Sequence, residues 1–408
     1  MSDTGRLLVG SVGTSEYGTV TYELGERTFH TALSPVALAN LCEIDAALVV
    51  RTPAAGERND ERLREGFSEA GVDHEFVDIE LITDSSDIDS VLQTIVGEFR
   101  SGRFDAESIV LDISHSFRSL PIVFLLSLMQ FEALEENATL EAIYYSRFAG
   151  SRERDTASVI DLTYLRTLLE WYDAFETARR TGTFRGIRLL LEEKRDAIYR
   201  ENAPIPERDQ FSDVVGSFGG AQKDIDAGFP LEAGISTKSA LRSLSELDGE
   251  AFIGPEGMVL EPLELLLEGF ETKQDVTEKT ELRLTEDELR RQAEMVEFYA
   301  RNEKYWIAIE CARELLINRL LYDAGFREEW LDRNNRELIA LPRGDQHDHF
   351  THDVQEVQEL WDRICQARNT YAHAGFKPSK RPNDHDVEEW LETLCRQIDN
   401  DSFWNEAR

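Results

Sequence analysis

The sequence predicts an α/β, Rossmann-like N-terminal domain and an all-α C-terminal domain, joined by a mainly helical connecting region. Three observations predict this. Short apolar runs alternate with amphipathic stretches over the first 160 residues, as in βαβ units. From about Asp161 the apolar period becomes helical, and it stays helical through the last third of the chain. Between these parts, most of the awkward Pro and Gly residues interrupt short apolar pieces. The expected boundaries are 1–165, 166–284 and 285–408.

Taken in order, "RLLVGSV", "AALVVRT" and "SIVLDIS" read as buried parallel strands, and "AIYYSRF" as a later strand. Helices are expected around 57–70 and 87–100, and "FLLSLMQFEALEE" supplies a helix packed on the sheet. "DLTYLRTLLEWYDAFETARRTG" is helical, with Gly182 as its stop. Residues 201–284 ("APIPE", "SFGGAQ", "GFPLEAG", "IGPEG") have no clear period, so their fold is left open and could include a winged helix. A new helix begins at "TEDELRRQ", where Thr285 and Glu288 match a capping box.

The 408 residues are 41% hydrophobic, enough for packed cores in two or three domains. Net charge is −36, spread along the whole chain, and eight of the 44 basic residues are lysine. That balance resembles the proteome of a salt-loving archaeon. In molar salt the Debye length falls to about 3 Å, so overall acidity does not exclude a polyanion from a locally basic cleft. Cys42, Cys311, Cys365 and Cys395 are scattered with no zinc or disulfide spacing, and no metal is expected. No apolar run reaches the ~18 residues of a membrane span, and the first residues lead straight into strand-like sequence; a cytoplasmic protein with no membrane partner is expected.

Two loops carry candidate binding chemistry. "LDISHSFRSLP" places Asp112, Ser114, His115, Ser116 and Arg118 between a strand and a helix, where open parallel sheets bind ligands and a helix N-terminus offers free amides to phosphate. Pro121 suits a first helical turn. "GSVGTS" places the small residues Ser11, Gly13 and Thr14 after the first strand. It is not GxGxxG, so no dinucleotide cofactor is expected. An ordinary turn capped by Asp and Ser explains the first loop equally well, and a Ser-His-Asp hydrolase is a weaker alternative.

Near the C-terminus stands "RNTYAH". With eight His and 36 Arg in the chain, chance alone gives about 0.7 Arg-x4-His pairs, so spacing by itself says little. Five helical residues turn the two side chains ~140° apart. Arg368 and His373 can share a site if the helix ends within the motif, as Gly375 and Pro378 suggest, or if a symmetric partner completes it. Leu360, Ile364 and Ala367 form the apolar stripe of the preceding helix. Such a trio could cleave RNA without a metal: the 2′-OH attacks the adjacent phosphate, His373 acts as general acid or base, Arg368 stabilises phosphoryl charge and Asn369 orients an oxygen. A surface Arg beside a solvated His remains the plain alternative.

Together, "LLVGSVGTSEYGTVTYE", "DISHSFRSLP" and "RNTYAH" resemble the CRISPR-associated CARF–HEPN proteins of the DxTHG type, over roughly residues 1–170 and 285–408. Ser114 and Ser116 stand where that family usually has Thr and Gly. The resemblance implies a Rossmann-like (CARF) sensor for cyclic oligoadenylate, most simply cyclic tetra-adenylate. It also implies a helical (HEPN) ribonuclease that acts on single-stranded RNA in type III antiviral defence. It further implies a homodimer or higher even oligomer, one ligand on the sensor twofold axis and one composite nuclease site. Two other readings stay open: a non-catalytic nucleotide sensor, and a sensor that cleaves its own cyclic ligand.

Overall fold

The structure, a computed structural model, describes residues 5–101, 106–115, 119–134, 139–148, 155–200, 204–247, 259–340, 354–372 and 382–404. The chain divides into two compact units, Met1–Thr167 and Leu168–Arg408. Among the described residues, no helix is long and apolar enough to cross a membrane.

The first unit is built on β1 (Gly5–Ser11), β2 (Val20–Leu24), β3 (Arg27–Thr31), β4 (Ala46–Arg51), β5 (Asp73–Asp78), β6 (Ala106–Asp112), β7 (Thr139–Phe148) and β8 (Thr156–Asp161). They form one sheet in the order β3-β2-β8-β7-β6-β1-β4-β5. The run β5-β4-β1-β6-β7 is parallel, with Val9 of β1 paired to Leu48 on one side and Leu111 on the other. β8 returns antiparallel to β7, β2 pairs parallel with β8, and β3 closes a hairpin with β2.

Four helices cover the sheet: α1 (Ser34–Leu41), α2 (Pro53–Ala70), α3 (Ser85–Arg100) and α4 (Leu120–Leu134). The period of two along β1 assigns the faces. Leu8 packs in a cluster with Leu38 of α1 and with Leu63 and Phe67 of α2. Its neighbours Leu7 and Val9 pack on the opposite face with Ile95 of α3 and with Phe124 and Leu128 of α4. Local signals agree with these ends. Thr52 caps α2 and Pro53 opens it, while Gly71 closes it at φ 72°, a left-handed conformation that suits Gly.

The second unit is helical. Its elements are α5 (Tyr164–Thr181), which begins just before the division, α6 (Arg185–Arg200), α7 (Ile205–Ala227), α8 (Pro230–Ser245), α9 (Leu260–Leu267), α10 (Glu286–Arg301), α11 (Tyr305–Asp323), α12 (Arg333–Ala340), α13 (Gln355–Ala372), α14 (Asp384–Gln397) and α15 (Asp401–Trp404). The segment expected as a connector, 166–284, and the segment 285–408 lie in this one unit and share a single hydrophobic cluster running from Trp171 to Trp404.

Two local expectations need correction. α7 runs unbroken through "SFGGAQ" because its apolar face, Phe211, Val214, Val215, Phe218 and Ala221, is buried; burial outweighs the ~1 kcal/mol that each helical Gly costs. No strand that could form a wing occurs among the described residues of 201–284. The capping box at α10 is only half made. Thr285 Oγ1 accepts from the Glu288 amide at 3.2 Å, but the Glu288 carboxylate turns inward to the buried Arg291 and to Gln292. A buried guanidinium needs its counter-charge more than a helix end needs a second cap.

Candidate functional site

β1 and β6 are adjacent; after the β2–β3 hairpin at the far side of the sheet, the next strand of the parallel run to follow β1 is β4, on one side, whereas the strand that follows β6 is β7, on the other. Their carboxyl ends therefore flank the topological switch point, where an open α/β sheet leaves a crevice. Ser11 ends β1, and Gly13 and Thr14 follow it; Asp112 ends β6, and Ser114 and His115 follow it. The structure brings these two groups together. Ser116 and Arg118 lie outside the described residues.

Asp112 is fully buried, and burial pushes its carboxyl up to about 6, against the pull of the Ser114 hydroxyl and amide and of Ser34. Oδ1 accepts from the Ser114 amide at 2.9 Å and from the Ser114 hydroxyl. The Ser114 hydroxyl also accepts from Ser34 Oγ at 3.0 Å and from the Ser146 amide at 2.8 Å. One donor and two acceptor sites are all a hydroxyl has. Ser114 thus spends its capacity shaping the loop. Ser11 Oγ and Asp112 Oδ2 are enclosed without a hydrogen bond of normal geometry among the described residues.

His115 lies in an aromatic setting that the sequence reading did not assign. Its ring packs on Tyr17, with centroids 4.2 Å apart, and its Nε2 lies 3.1 Å from the Tyr22 hydroxyl. Burial pulls the imidazole down to about 4, so it is neutral at pH 7. Burial, and then the Asp112 charge, raise the Tyr22 phenol, which stays protonated. Tyr17 also holds the first loop, its hydroxyl accepting from the Gly13 amide at 3.0 Å. A Cβ on Gly13 would stand 3.1 Å from that hydroxyl, which is why a residue without one fits there. From α2, Asn59 donates to the Gly13 carbonyl at 3.0 Å and Arg62 to the Tyr17 carbonyl at 3.2 Å. The ring faces of Tyr17 and His115 and the neutral hydrogen-bonding groups beside them suit a heteroaromatic base, while the guanidinium groups of Arg58 and Arg62 donate to the Thr14 and Tyr17 carbonyls of the same loop.

In the second unit, Arg368 and Asn369 lie in the last turn and a half of α13; His373 lies outside the described residues. Asn369 is exposed. Helices α11 and α13 pack with opposed directions, so going up one meets residues going down the other. Trp306 meets Tyr371, with ring centroids 6.5 Å apart and planes at 33°; Glu310 meets Arg368; and Arg313 meets Trp361, 6.0 Å from its ring. Arg368 Nε is 3.1 Å from Glu310 Oε1 and 3.4 Å from Oε2, with both side chains partly exposed. The guanidinium is therefore fixed in place by a carboxylate and leaves part of its fork to solvent. Trp306 and Glu310 went unread in the sequence, although their i, i+4 spacing in "YWIAIE" puts them on one helix face.

No protein-family model matches the chain. Over 88 residues, 22% of this chain, it is 35% identical to the CRISPR-associated protein MJ1674 of Methanocaldococcus jannaschii, and the matched segment spans 14% of that relative's length. Among solved structures, Enterococcus italicus Csm6 bound to cyclic hexa-2′-fluoro-hexa-dAMP aligns over 98% of this chain and 97% of that one, at a TM-score of 0.40 and 10% identity.

Proposed function

We propose that the protein is a CRISPR-associated, cyclic oligoadenylate-activated endoribonuclease that cleaves single-stranded RNA without a metal and works as a homodimer. The first unit is the sensor of the cyclic nucleotide, and the second is the nuclease, of the CARF and HEPN kinds respectively. The observation that carries the reading is the meeting of "GSVGTS" and "DISHS" at the switch point of the sheet, where the rings of Tyr17 and His115 pack together and Tyr22 stands beside them. The short match to a CRISPR-associated protein agrees with it. A symmetric ring needs a symmetric host, and α4 offers a surface for one. Apolar on nearly every side, it exposes Ile122, Leu126 and Met129 in a single stripe, a patch suited to the same patch of a second copy.

In the nuclease unit Arg368 stabilises charge on the phosphoryl oxygens as the 2′-OH attacks, Asn369 orients an oxygen, and His373 moves the proton. Glu310 holds Arg368 until the phosphate competes for it. The test is cleavage of a fluorescent RNA at high salt with cyclic tri-, tetra- and hexa-adenylate. Cleavage that depends on one ring is expected. Arg368→Ala and His373→Ala should each lower its rate by ~10²-fold, the scale of losing an acid–base or charge-stabilising group. Ligand binding with no cleavage under any ring would replace this reading by that of a non-catalytic sensor.

A further inference from the structure

An indole left in water at the start of a helix needs a reason. Of the six tryptophans, Trp171, Trp330, Trp361 and Trp404 are buried and Trp390 is half-buried; Trp306 alone is exposed, at 42%. Its neighbours give the reason. Tyr371 lies beside it across the helix pair, and Tyr371 is one turn from Arg368; Glu310, which fixes Arg368, is one turn from Trp306. Ring face and guanidinium therefore lie on neighbouring turns of the same two helices.

We propose that Trp306, backed by Tyr371, is a stacking platform for a nucleobase of the RNA whose phosphate is held at Arg368. The inference rests on the nuclease reading and adds to it a residue that binds substrate. Single strands are held by basic grooves and by aromatic faces on which bases stack. A chain with a net charge of −36 has little of the first to offer. Stacking needs no net charge, and it keeps its strength in concentrated salt, where phosphate contacts fade. The Arg368–Glu310 pair fits the same division: the arginine is half neutralised in the resting state, so affinity must come largely from elsewhere.

The experiment is steady-state cleavage of single-stranded RNA by the full-length, ligand-activated protein, with Trp306→Ala, Trp306→Phe and Arg368→Ala run in parallel. Trp306→Ala should raise KM about tenfold, equivalent to ~1.4 kcal/mol, and change kcat little, while Trp306→Phe restores most of the affinity. The KM ratio should stay the same between low and high salt. Quenching of tryptophan fluorescence by an uncleavable 2′-deoxy oligonucleotide should be present in the wild type and lost in Trp306→Phe. If Arg368→Ala abolishes cleavage while Trp306→Ala keeps the wild-type KM and the quenching survives in Trp306→Phe, the platform is wrong and the nuclease reading stands. If Arg368→Ala cleaves like the wild type, the nuclease reading itself falls.

Discussion

Asp112 is enclosed at the end of β6, and its ionisation works against the fold. Its carboxyl sits near 6 in the folded protein, against ~3.9 in an unfolded chain. Below about pH 4 it is neutral in both states and costs nothing. As pH rises from about 4 to about 6 the unfolded state is ionised while the folded state is still protonated, so stability falls by roughly 2–3 kcal/mol across that window and stays lower above it. Asp112→Asn keeps an acceptor for the Ser114 amide and hydroxyl but removes the titration. Urea unfolding of both proteins from pH 4 to 7 should show the variant gaining that amount over the wild type, since every other carboxylate is common to the two. A difference that stays constant with pH would refute the shift. At this scale the sequence was partly legible. Ser11, Gly13, Thr14, Asp112, Ser114 and His115 could be placed because small and polar residues after a buried strand mark a sheet edge. Tyr17, Tyr22, Ser34 and Ser146 could not, because they reach the site through pairings that no local pattern encodes.

Helix packing in the first unit can be tested by two glycines of opposite expectation. Gly66 faces α1: a Cβ there would lie 2.5 Å from Val36 Cγ1 and 2.8 Å from Cγ2. Gly97, in α3, has nothing within 4 Å and is exposed. Alanine is worth ~1 kcal/mol over glycine inside a helix, whereas overpacking beside a stiff branched side chain costs ~1–3 kcal/mol. Gly97→Ala should therefore raise the thermal midpoint and Gly66→Ala should lower it, by differential scanning calorimetry. A gain at both positions would mean that α1 and α2 are farther apart than described. Elements with a strong period, β1, β4, β6 and α2 among them, were legible. The β2–β3 hairpin and β8 were not, because five- and six-residue strands of mixed polarity such as "VTYEL" and "RTFHT" are too short and too polar for their period to stand out. α7 and α8 were hidden by Gly and Pro residues that sit harmlessly within a buried helix and at a helix start.

For the whole molecule, charge sets the conditions. With 80 acidic residues against 44 basic ones, the excess negative charge repels itself in any compact state, and salt shortens the range of that repulsion from about 10 Å at 0.1 M to about 3 Å at 1 M. The unfolding midpoint of the full chain should rise steadily with potassium chloride over this range. A midpoint that falls or stays flat would mean that specific ion pairs outweigh the general repulsion. Topology sets a different condition. Thr21 on β2 pairs with Thr156 on β8, so the strand that carries Tyr22 has no neighbour on that side until β8 has been made. On a ribosome adding about 5–20 residues per second, that interval is on the order of ten seconds. For this time the nascent chain holds an unpaired hairpin, and the tyrosine wall behind His115 is the part of the crevice that must wait.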